Sequence, residues 1–90
     1  MSDTAGLPAV NFSSFVTSLA QTALMHLGEL AGPGTGAKSV ELGLARHTID
    51  ALGMLEEKTK GNLDEGEAKL LSSLLYELRS KFVSASRAQA

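Results

Sequence analysis

Three amphipathic segments, separated by glycine-rich breaks, predict an all-α fold: a three-helix, hairpin-like bundle completed by self-association or a partner. Within each segment apolar residues recur every three or four positions, the spacing that puts them on one side of a helix. No stretch alternates with period two for more than a few residues, so strands have little support. Ninety residues allow a single domain. A chain with 43% hydrophobic and 20% charged residues falls on the globular side of the balance, away from intrinsic disorder.

The first helix starts at Asn11 or Ser13, both good N-caps. Phe12, Phe15, Val16, Leu19, Ala20, Ala23, Leu24, Leu27 and Leu30 form its apolar stripe, and Gly32, Pro33, Gly34 and Gly36 end it. The second begins at Ser39, with Glu41 in the first turn opposing the positive end of the helix dipole. Leu42, Ala45, Ile49, Leu52 and Leu55 make its inner face, widened by Leu44 and Met54. Lys58 and Lys60 occupy its last turn, and Gly61 takes the left-handed position after it. Asp64 and Glu67 form a capping box for the third helix, whose core positions are Leu70, Leu71, Leu74, Leu75, Leu78 and Phe82. Three acid-first i, i+4 pairs, Glu56–Lys60, Glu65–Lys69 and Glu77–Lys81, suit exposed helix faces. Domain organisation follows: a disordered tail over 1–10, a helical domain over 11–83, and a disordered tail over 84–90.

Several function classes lose support. The stretch GPGTGAKS, residues 32–39, imitates a phosphate-binding loop, but Ala37 stands where glycine should precede the lysine, and the segment before it reads as helix rather than strand. It is expected to be a linker. There is no cysteine, and His26 and His47 lie on different helices without a ligand-spaced partner, so no metal is expected. A net charge of −2 disfavours nucleic acid and anionic membrane surfaces. The most apolar segment, Phe12 to Leu30, carries too many polar residues to be a membrane span. The N-terminus lacks the basic start of a signal peptide. A small helical oligomeric enzyme of the chorismate-mutase type is the alternative function. It needs cationic side chains converging on a dianion, and Arg46 and Arg79 are the arginines available outside the tail.

The first helix is unusual. Between Asp3 and Glu29 there is no Asp, Glu, Lys or Arg. Its polar side is Ser13, Ser14, Thr17, Ser18, Gln21 and Thr22, small or neutral residues that permit close approach of another helix. A core built from three short helices at this size supplies about 3–5 kcal/mol, and burial against a second chain would add to it. Phe15, Ser18, Leu19 and Thr22 are therefore the expected interface for self-association or a partner. The turn containing Lys58, Lys60 and Asn62, with Tyr76 and Arg79, is the expected recognition patch, although Gly61 and Asn62 also have structural uses as a helix stop and start.

NFSSFVTSLAQTALMHLGEL, HTIDALGMLEEKTKGNL and LLYELR together resemble a family of short, all-helical bacterial proteins classed as a domain of unknown function, over about residues 11–83. The resemblance implies no assigned enzymatic activity, no cofactor and a cytoplasmic setting. It extends to cell-polarity adaptors of the RomX type. That relation implies an adaptor or regulatory subunit working with a response-regulator-like protein and a small Ras-like GTPase, without holding nucleotide itself.

Overall fold

The computed structural model describes residues 7, 9–30 and 39–89. They form three helices, α1 (Phe12–His26), α2 (Leu42–Lys58) and α3 (Glu65–Gln89), each packed against the other two. No strand forms among the described residues; Leu27 and Val40 make one isolated antiparallel bridge.

Asn11 caps α1. The Ser14 N–H donates to Asn11 Oδ1 at 2.8 Å and the Asn11 N–H donates to Ser14 Oγ at 3.4 Å, so two backbone donors at the helix start are satisfied reciprocally. The helix stops at His26, four residues short of the expected Leu30, and Gly28 is the reason. It sits at φ +82, the Gly28 N–H donates to the Met25 carbonyl, and the Glu29 N–H reaches back to the Leu24 carbonyl. This is a Schellman stop, complete before Gly32 is reached.

The start of α2 also moves. Ser39 is not the cap: residues 39–41 run alongside the end of α1, and the Glu41 N–H donates to the His26 carbonyl at 2.7 Å. Glu41 becomes the N-cap residue, without a side-chain capping bond, rather than a first-turn acid. At the other end Thr59 caps α2, its backbone N–H and hydroxyl both donating to the Leu55 carbonyl. Gly61 is left-handed as expected, at φ +88, but lies two residues past the cap, in a turn closed by the Asn62 N–H to the Thr59 carbonyl.

The capping box of α3 forms as read: Glu67 N–H to Asp64 Oδ1 is 2.7 Å, and Asp64 N–H to Glu67 Oε1 is 3.0 Å. Helix α3 continues through Ser84–Gln89, where the sequence suggests a disordered tail. Alanine, arginine and glutamine there are good helix formers, and Ala85 packs against the core. The N-terminal tail assignment falls mostly on residues outside the described set, as do residues 32–38 of the expected linker.

The core is Val16, Ala20, Ala23 and Leu27 from the first segment, Ala45, Ile49 and Leu52 from α2, and Leu71, Leu75 and Leu78 from α3. Leu70, Leu74 and Phe82, read as core, are its partly buried rim. Thr48 is buried among these side chains and satisfies its hydroxyl on the Leu44 carbonyl at 3.1 Å. Among the described residues the ion pairs are Arg46–Asp50 and Lys81–Glu29, not the three expected ones. Lys60 lies beyond the helix, and Lys81 turns to Glu29, 3.3 Å away on the segment following α1.

The two left-handed glycines give a paired prediction. A Cβ on Gly61 meets nothing within 4 Å, so Gly61→Ala costs only the backbone penalty, about 1–2 kcal/mol. A Cβ on Gly28 comes within 2.8 Å of Val40 Cγ2, so Gly28→Ala costs at least about 1 kcal/mol more. Urea denaturation of both variants reads the difference, and equal losses would remove the close approach from the account. By the same measurement Asp64→Ala loses about 1 kcal/mol.

Candidate interaction surface

Helix periodicity gathers Phe15, Ser18, Leu19 and Thr22 on one edge of α1, at i, i+3, i+4 and i+7. Phe15 is 51% exposed, Ser18 is exposed, and Leu19 and Thr22 are half-buried. The Thr22 hydroxyl donates to the Ser18 carbonyl of its own helix at 3.2 Å. With that donor used internally, the edge offers contact area and few unpaired hydrogen-bonding groups. Two more large apolar side chains stand out on α2, Leu44 at 53% and Met54 at 50% exposure, both off its buried stripe.

Of the residues expected as one recognition patch, Lys60 and Arg79 line different grooves. Lys60 lines a groove with Glu56, Glu57, Thr59, Gly61 and Leu63 at the α2–α3 turn, while Lys58 and Asn62 are exposed nearby in the chain. Arg79 lies elsewhere, beside Gly53 in the middle of α2, and lines a different groove with Arg46, Ile49, Asp50, Phe82 and Val83. Tyr76, one turn before Arg79, is 76% exposed. The turn itself has a plain structural use, because its backbone bonds stop α2.

Both arginines named for the alternative enzyme therefore do share a groove. Its volume is about 170 Å³, smaller than the few hundred Å³ that usually enclose a small-molecule ligand. Its remaining lining is Ile49, Phe82 and Val83, with Asp50 held 3.9 Å from the Arg46 Nε. Gly53, inside α2, is the sequence signal that points to this groove. A glycine inside a helix costs about 1 kcal/mol relative to alanine, and that cost was a readable sign of close approach there. His26 and His47 remain on separate elements, and no cluster of three metal-ligating side chains occurs among the described residues. No helix of the described residues is long and apolar enough to cross a membrane.

Comparison with known proteins adds one match. A family model described as a domain of unknown function, DUF1844, covers residues 9–84, which include all of α1 and α2 and most of α3. No curated protein and no solved structure matches the chain. With all but the ends of the chain inside one family model, and with the helical architecture that the sequence resemblance implies, the protein belongs to the DUF1844 family.

Proposed function

We propose that this protein is a non-catalytic protein–protein interaction module that assembles through the uncharged edge of α1. The observation that carries the reading is the absence of any charged side chain from Thr4 to Gly28, combined with the half-exposed Phe15 beside Ser18, Leu19 and Thr22. A helix side kept in bulk water normally carries charge, as the outer sides of α2 and α3 do. An uncharged edge with an exposed aromatic loses little on desolvation and gains apolar burial when a second surface covers it. Exposed Leu44 and Met54 on α2 add to the apolar area that assembly would bury.

The resemblance to polarity adaptors gives this module a finer role. It would act in the cytoplasm as an adaptor or regulatory subunit, as a dimer or in a hetero-complex, with a response-regulator-like protein and a small Ras-like GTPase as partners. The GTPase would hold the nucleotide, and this chain would supply helix faces.

Ser18→Glu and Thr22→Lys test the surface. The wild-type chain is expected to sediment above monomer mass, and each variant to sediment as a monomer with an unchanged helical circular dichroism spectrum. Variants that stay fully associated would sink the role given to α1. If the wild type is itself monomeric, the same variants serve in capture from native lysate. A response-regulator-like protein or small GTPase held by the wild type and lost from both variants then supports the hetero-complex.

A further inference from the structure

The groove between α2 and α3 differs in chemistry from the α1 edge. Two of the three arginines in a chain of net charge −2 line it, Arg46 from α2 and Arg79 from α3. Arg46 has Asp50 as a neighbour, but the pair is 3.9 Å apart with both side chains more than 70% exposed, too loose and too wet to occupy the guanidinium. Arg79 has no ion pair among the described residues. Arg79 is exposed, and a Cβ built on Gly53 would lie 3.1 Å from its Nη2, so the guanidinium lies over the α2 backbone where a side chain is missing. The rest of the lining is apolar, from Ile49, the rim residue Phe82 and the half-exposed Val83, except for the Asp50 carboxylate beside Arg46.

We infer that this groove is a docking site for a short acidic segment of a partner protein, one that presents a carboxylate next to an aliphatic or aromatic side chain. Charge complementarity selects the carboxylate. Two guanidiniums, one loosely paired and one without an ion pair among the described residues, offer the forked donor geometry that carboxylates accept. The apolar lining selects a neighbouring hydrophobic residue, and the volume of about 170 Å³ limits the occupant to side chains rather than a cofactor. The inference rests on reading the chain as an interaction module, and it places a second contact surface away from the α1 edge.

The test is a titration of the ¹⁵N-labelled full chain with the blocked hexapeptide acetyl-Glu-Leu-Glu-Glu-Leu-Glu-amide, followed by amide and arginine Nε–H chemical shifts. A Gln-for-Glu peptide and inorganic phosphate run beside it. Saturable shifts centred on Gly53, Arg79 and Val83 are expected, together with loss of binding for the Gln peptide. Arg79→Ala and Arg46→Ala are each expected to weaken binding by about ten-fold, the size of a lost charge-assisted hydrogen bond. Gly53→Gln puts a side chain where the Arg79 guanidinium lies, using a good helix former, and should abolish the shifts while the helical spectrum is kept. Shifts spread over the surface, equal binding of phosphate, or an Arg79→Ala affinity within about two-fold of wild type would overturn the inference. Loss of peptide binding with the Ser18→Glu dissociation intact removes this groove alone. Peptide binding that persists while Ser18→Glu leaves assembly unchanged removes the α1 reading instead.

Discussion

The 2.7 Å hydrogen bond from the Glu41 N–H to the His26 carbonyl ties the first residue of the second helical segment to the last turn of the first. It uses a carbonyl that a helix C-terminus leaves without an internal partner. Gly28 makes it possible, because only a residue without a Cβ can turn at φ +82 with Val40 so close. The Leu27–Val40 bridge, stacked on the same junction, fixes how α1 sits along α2. The outward face of α1 depends on that register. It decides which stripe of α1 is buried with Ala20 and Ala23, and so which edge, that of Phe15 and Thr22, remains outside.

The end of the bundle holding this junction is reinforced by α3. Lys81 donates to Glu29, and Leu27, Val40, Ser84, Ala85 and Ala88 line the cleft between them. The Lys81–Glu29 pair is partly exposed and worth at most about 1 kcal/mol, so its use is orientation more than stability. Continuing α3 to Gln89 brings Ala85 onto the core, which an unstructured tail could not do.

The two faces of the molecule differ in the contacts they suit. The α1 edge carries no charge and keeps its threonine hydroxyl bonded to its own backbone, which suits broad apolar contact. The α2–α3 groove is narrow and cationic, and suits recognition of one or two side chains. In the proposed interaction module the first face would assemble and the second would select what is held.

Signals confined to three or four residues were legible without the fold. The Asp64–Glu67 capping box, the Asn11 start (one of the two offered) and the leucine spacing of α3 each depend on neighbours within one helical turn. The box and the cap form, and of the α3 leucines Leu71, Leu75 and Leu78 are buried while Leu70 and Leu74 stay at the rim. The uncharged edge of α1 was equally legible, since charge is a property of composition. The Gly28 stop is itself local, since its left-handed turn is closed by the Gly28 and Glu29 N–H groups on the Met25 and Leu24 carbonyls. Yet the denser glycines at 32–36 are the stronger sequence signal. The Glu41 N–H, thirteen residues further on, adds a bond to the same helix end. Ser39 was lost as a cap because residues 39–41 run alongside that end. The Arg46–Arg79 groove joins residues 33 positions apart across two helices, and only packing brings those side chains together over Gly53. The sequence by itself determined three helices, their inner stripes and a family of all-helical proteins. Tertiary structure alone decided where the chain before α2 docks on the end of α1 and which arginines share a surface, because those choices rest on contacts between distant residues that no local pattern encodes.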